Sequence, residues 1–164
     1  MARRNDDEFT EFVVARAPQL RRVAYVIVRD WQYAEDVVQT ALVKVYVAWP
    51  RVHSRARDAY ARRAVVNAAI SHVRKPRREV HTDSVPDTLH IAQPSGDDDG
   101  LMQALRLLSP SQAAVVALRY LDDLSVAEVA DLLGISEGTV KSQCSRGMEH
   151  LRRHLKQSDW AKES

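Results

Sequence analysis

Between Ser125 and Leu155 the chain reads SVAEVADLLGISEGTVKSQCSRGMEHLRRHL, two helical periods separated by one glycine. Ser125 followed three residues later by Glu128 is a capping box, and Val126, Val129, Ala130 and Leu133 form one apolar stripe behind it. Gly134 ends that short helix. Ser136 is placed to cap a longer one, on which Val140, Cys144, Gly147, Leu151 and Leu155 share a face while Ser142, Ser145, Arg146 and Glu149 lie opposite. Small, polar and basic groups near a helix start suit entry into a major groove, and Lys141 beside them suits a phosphate. An ordinary helical hairpin with a solvated outer face has the same periodicity; the spacing of cap and turn favours a helix-turn-helix.

The rest of the chain is also predicted helical. Five glycines and six prolines in 164 residues, with 45% hydrophobic side chains, favour helix over sheet. Phe9, Phe12, Val13, Leu20, Val23, Ala24 and Ile27 keep helical spacing, interrupted by Pro18, which predicts one helix bent or broken there. Asp30 is a cap for a helix over about 33–49, with Ala34, Val38, Ala41, Leu42, Val45 and Trp49 on a broad face. Its other face mixes Asp36, Gln39 and Thr40 with Val43 and Val47. That strip suits either a protein-binding surface or a second buried side in a small bundle. Tyr46 and Trp49 are expected in the core.

Pro50 ends that helix, and RVHSRAR (Arg51 to Arg57) reads as a basic loop. Asp58 is expected to cap a helix to about Arg74, with Ala59, Val66, Ile70 and Val73 on one stripe. Tyr60, Arg63, Asn67, Ser71 and Arg74 line another face. An aromatic ring, guanidiniums and an amide beside a basic loop suit stacking and hydrogen bonding to unpaired bases, though a solvated basic face looks the same. From Lys75 to about Gly96 the periodicity disappears among three prolines, as in a linker. Asp97, Asp98 and Asp99 then charge-stabilise a helix start ahead of Leu101, Leu105 and Leu108. Ser109 to Gln112 forms a second capping box with proline at the first helical position. Its helix, through Tyr120, should pack Ala113, Val116, Ala117 and Tyr120 against the helix-turn-helix.

No catalytic constellation, phosphate loop or metal set is expected. His150 and His154 lack a third ligand, and no cofactor is implied. Cys144, the single cysteine, reads as a packed hydrophobe and fits a reducing, cytoplasmic setting. The apolar run Val23 to Val28 is too short for a membrane span, and no signal peptide is expected in the polar first residues. The net charge of +2 hides arginine clusters at 51–78 and 146–156.

Four segments in order, AEDVVQTALVKVY, DAYARRAVVNAA, LSPSQAAVVALRYLDDLSVAEVADLLGIS and GTVKSQCSRG, carry a resemblance. The chain resembles an extracytoplasmic-function (ECF) sigma factor of the sigma-70 family, in the SigE-like actinobacterial subgroup. The resemblance implies an all-α protein of two small helical domains joined by a flexible linker. A sigma-2-like domain would span residues 1–75, a linker 76–97 and a sigma-4-like domain 98–164. It implies a non-enzymatic initiation factor with core RNA polymerase and promoter DNA as partners, and it leaves open an anti-sigma factor.

The resemblance also assigns residues. Asp36, Gln39 and Val43 would dock on the clamp helices of the largest polymerase subunit. Arg55, Arg57, Tyr60, Arg63 and Asn67 would take the melted −10 strand. Lys141, Ser142, Ser145 and Arg146 would read the double-stranded −35 element, with Thr139 on a phosphate. Three positions depart from the family pattern: Thr40 replaces a carboxylate of the docking face, and Cys144 and Ser145 replace larger side chains of the reading helix. The rival reading, a LuxR-type regulator acting without replacing sigma, would have no need of the Asp36, Gln39 and Val43 strip or of the arginine-rich helix.

Overall fold

A computed structural model describes residues 2–74 and 103–162, and all the regular structure among them is helical. The expected linker and the Asp97 to Asp99 cap lie outside the described residues. Three helices build the first domain: α1 (Ala2–Val28), α2 (Trp31–Ala48) and α3 (Arg57–Arg74). Pro18 lies inside α1 without ending it, and the helix begins seven residues before the predicted Phe9. Arg29, at φ 65°, turns the chain, and the Asp30 carboxylate accepts from the backbone N–H of Gln32 and Tyr33 to start α2.

The core of this bundle is Leu20, Val23, Ala24 and Ile27 of α1 against Ala34, Val38, Ala41 and Val45 of α2 and Ala61, Val65, Val66 and Ala69 of α3. Trp49 closes one end, 2% exposed, with the edges and faces of Phe9 and Phe12 about it. Tyr46 departs from expectation. It is 48% exposed, packs edge-on to Phe9 and donates its hydroxyl to Asp6.

The start of α3 also differs from its prediction. A 3₁₀ turn over Ser54–Ala56 runs directly into α3, so Asp58 sits within the first helical turn instead of capping it. Its carboxylate accepts from Arg16 Nε at 2.6 Å, and its negative charge still favours that end of the helix. Ala59 is exposed; α3 turns the face bearing Ala61 and Ala69 inward, because small side chains there let it approach its neighbours closely.

The second domain starts with a helical turn at residues 103–106 and continues through α4 (Pro110–Val116), α5 (Val126–Leu133) and α6 (Glu137–Lys162). Both predicted capping boxes form, Ser109 with Gln112 and Ser125 with Glu128. Beyond Val116 the helix widens into a π turn at Ala117–Leu121, marked by the Asp122 N–H donating to the Ala117 carbonyl at 3.2 Å. The wider turn shifts the helical register, which leaves Ala117 and Leu118 buried and carries Tyr120 to 54% exposure, away from its expected core position. Gly134 ends α5 at φ 65°, and the Ser136 hydroxyl accepts the Thr139 N–H at 3.1 Å to start α6.

Gly147 sets the separation of α6 and α4. A β-carbon there would lie 2.8 Å from Val116 Cγ2 and 3.7 Å from Leu108 Cδ1. In an open helix glycine to alanine gains up to ~1 kcal/mol, but overpacking costs ~1–3 kcal/mol, so Gly147→Ala should lower stability by about 1–2 kcal/mol. Urea denaturation measures this, and an unchanged midpoint would mean that the two helices are free to slide apart.

Candidate nucleic-acid interface

Two surfaces carry the residues singled out by the sequence. On the first domain, α2 and α3 diverge to leave a groove of about 620 Å³, lined by Asp36, Thr40 and Lys44 from α2 and by Tyr60, Arg63 and Asn67 from α3. Tyr33 and His72 lie at one end with their rings 4.6 Å apart. Thus three of the five expected −10 residues share one concave face with Asp36. Gln39 and Val43 are exposed on α2, with Val43 64% exposed and Val47 62%.

Arg55 and Arg57 stand apart from that groove. Arg55 is exposed in the 3₁₀ turn, where the His53 ring nitrogen accepts its backbone N–H at 3.3 Å. Arg57 lies over the Trp49 ring at 3.9 Å and pairs with Glu8 at 3.1 Å, leaving its side chain 18% exposed. The hydrogen bond from Arg57, joined by one from Arg4, holds the Glu8 carboxyl below the usual range. Arg57 therefore braces the loop on the aromatic end of the core, while Arg55 is exposed beside it.

On the second domain, Thr139, Ser142 and Arg146 stand on the exposed side of α6, opposite buried Val140, Gly147 and Leu151. The Thr139 hydroxyl is 2.8 Å from that of Ser136, and the Ser142 hydroxyl donates to the Thr139 carbonyl, so the first turn is ordered by its own side chains. Lys141 and Ser145 turn toward a second hollow with Arg119, Tyr120, Cys144 and Arg152. Cys144 is half-buried there, its sulfur 3.9 Å from the Tyr120 hydroxyl. Leu155, expected on the apolar face, is 36% exposed.

Sequence reasoning missed the contacts between the two domains. Asp122 receives Arg62 and stands 4.0 Å from Arg16; Arg63 pairs with Asp131 of α5 at 3.1 Å. No local pattern marks such pairs, since their partners are 60 or more residues apart.

The profile of Sigma-70 region 2 matches residues 12–79, and that of Sigma-70, region 4 matches residues 98–151. The chain is similar to the RNA polymerase sigma-E factor of Streptomyces avermitilis, 38% identical over 93% of this chain and 87% of that one. With that of Streptomyces coelicolor it shares 37% identity over 90% and 86%. The ECF RNA polymerase sigma factor SigW of Bacillus subtilis is 26% identical over 93% and 91%. Among solved structures, the sigma factor RpoE of Bartonella quintana, crystallised with the anti-sigma factor NepR, superposes with a TM-score of 0.74 at 29% identity. That match covers 91% of this chain and 97% of that one.

Proposed function

Given that the chain belongs to the sigma-70 family as an ECF RNA polymerase sigma factor, we propose a division of labour among its surfaces. Asp36, Gln39 and Val43 dock the first domain on the clamp helices of core polymerase. Their support is a mixed apolar and polar strip on α2 that the bundle leaves exposed. Tyr60, Arg63 and Asn67 take unpaired bases and phosphates of the −10 strand in the α2–α3 groove, with Arg55 reaching from the loop and Arg57 holding that loop in place.

The second domain reads the −35 element through Ser142, Ser145 and Arg146, with Lys141 and Thr139 on phosphates. Domain limits follow as 1–75 and 98–164, with 76–97 as the connection. The rival reading, a regulator that leaves sigma in place, accounts for the second domain and leaves the first without a purpose. The single observation that carries the proposal is the convergence of Tyr60, Arg63 and Asn67 on one groove with Asp36 at its edge.

The two DNA surfaces act together. Each binds weakly alone, and mounting both on one polymerase raises the effective concentration of the second contact once the first is made. The chain itself supplies no chemistry; phosphoryl transfer stays with the polymerase. Among the described residues no helix is long and apolar enough to cross a membrane. We place the protein in the cytoplasm with its polymerase.

Run-off transcription with core enzyme tests the proposal: a start-site-specific product should appear only when the chain is added. Asp36→Ala with Gln39→Ala should weaken capture by core polymerase at least ~10-fold, as for a docking centre worth ~1.4 kcal/mol or more. Capture at wild-type strength would move the docking face elsewhere.

A further inference from the structure

The basic loop ahead of α3 is tied to α1 at three points. Glu8 accepts from Arg57 Nη1 at 3.1 Å, Asp6 accepts the Tyr46 hydroxyl at 2.8 Å, and Arg16 Nε donates to Asp58 at 2.6 Å. Residues 57 and 58, a cation followed by an anion, are thus each met by the opposite charge from one helix, which fixes how the start of α3 is turned. Arg57 is held on its other side as well. Its guanidinium lies 3.9 Å over the Trp49 ring, and Trp49 packs edge-on to Phe9, the residue after Glu8. The hydrogen bond from Arg57, then that from Arg4, keeps the Glu8 carboxyl below the usual range, so Glu8 is anionic at neutral pH.

The tie reaches the loop through the backbone. The Arg57 N–H donates to the Ser54 carbonyl and closes the 3₁₀ turn, inside which the Ala56 N–H donates to the His53 carbonyl at 2.8 Å. Arg55 stands exposed in the middle of that turn, so the place of its guanidinium follows the place of Arg57. Glu8 has a second consequence. Paired with a carboxylate and laid on an indole, the Arg57 side chain is only 18% exposed. It is thereby withheld from phosphates, which an unpaired arginine attracts whatever the sequence.

We propose that Glu8 is a positioning residue for −10 recognition: acting through Arg57, it sets the turn that presents Arg55 and keeps a second arginine of the loop off the DNA backbone. This rests on the sigma-factor reading above and adds to it a residue of α1 that lowers affinity for strands in general and raises discrimination among them. Phosphate contacts carry no sequence information, so a freed Arg57 strengthens binding to every strand alike while a loosened turn blurs the preference for one. A residue that only held the fold together would weaken both. Glu8 and Arg57 are partly in solvent, where salt screens the pair, so the effect is modest in size.

The test uses the full-length chain assembled with core RNA polymerase, carrying Glu8→Gln alone or together with Arg57→Gln. Asp7→Asn removes the same charge one residue earlier, where none of these contacts is made, and serves as the control. Run-off transcription from a promoter template with its −10 element intact or scrambled reads discrimination. Anisotropy of a labelled oligothymidylate of roughly 12 nucleotides across a salt series reads phosphate contacts. Glu8→Gln should lower the intact-to-scrambled ratio at least ~3-fold and steepen the salt dependence of strand binding by ~0.7 units of slope, as for one added phosphate contact. Its melting temperature should stay within about 4 °C of wild type, as for loss of a partly exposed pair. The double variant should return the slope to the wild-type value and leave the ratio low. Asp7→Asn should match the wild type throughout.

An unchanged ratio for Glu8→Gln, an equal fall for Asp7→Asn, or a lower ratio with an unchanged or shallower slope would each overturn the proposal. Absence of any start-site-specific product with the wild type would instead count against the sigma reading. The salt slopes would then still decide whether Glu8 restrains Arg57.

Discussion

Trp49→Ala is expected to be the most damaging single substitution in the first domain. The indole is 2% exposed, contacts Phe9 and Phe12 at ring separations of 5.2 and 5.1 Å, and carries the Arg57 guanidinium 3.9 Å above it. Truncating a buried tryptophan costs ~3–5 kcal/mol, much of the 5–15 kcal/mol that holds a typical domain folded. For a chain of this size that lowers the melting temperature by roughly 6–20 °C. Phenylalanine should recover most of the loss, because the indole N–H has no hydrogen-bond partner among the described residues. Thermal and urea unfolding followed by circular dichroism measure both variants. A loss under about 1 kcal/mol for alanine would mean that Phe9 and Phe12 refill the site.

Arg146→Ala should have the largest effect on promoter use while leaving the fold intact. Its side chain is exposed on α6, opposite Val140 and Gly147, and makes none of the described contacts with the first domain. A bidentate arginine-to-base contact is worth ~1–3 kcal/mol, so transcription from a −35-dependent promoter should fall by about 5- to 150-fold. Lys141→Ala should instead weaken binding evenly across −35 sequences and flatten the salt dependence by about one unit of slope. Run-off assays on templates with the −35 element intact and scrambled separate the two. Equal losses on both templates for Arg146→Ala would make it a backbone contact and leave sequence reading to Ser142 and Ser145.

Most of the local architecture was legible because it is decided by short-range chemistry. The Ser125 and Glu128 box, the left-handed Gly134 and the Asp30 cap each depend on residues within four positions of one another, and all three formed as the sequence predicted. Tyr120 was misplaced because a π turn inserts an extra residue per turn without any signature in the periodicity. Asp58 reads as a cap in the sequence, and the 3₁₀ turn over Ser54–Ala56 that places it inside the first helical turn has no local signature. The exposed faces were readable as faces, and the family pattern supplied the roles proposed for them. That Arg57 and Arg63 are already engaged could be learned only from tertiary structure, since Glu8 and Asp131 are ordinary surface acids in the sequence.

The mixed apolar clusters have a consequence for the life of the protein. Because Val26 is seated among second-domain side chains and Leu118 among first-domain ones, neither domain has a finished surface of its own. Each bares hydrocarbon to water when they separate, and such patches attract proteases, chaperones and other exposed chains. Any partner that parted the two domains would therefore also have to cover the hydrocarbon around Val26 and Leu118 that it uncovered.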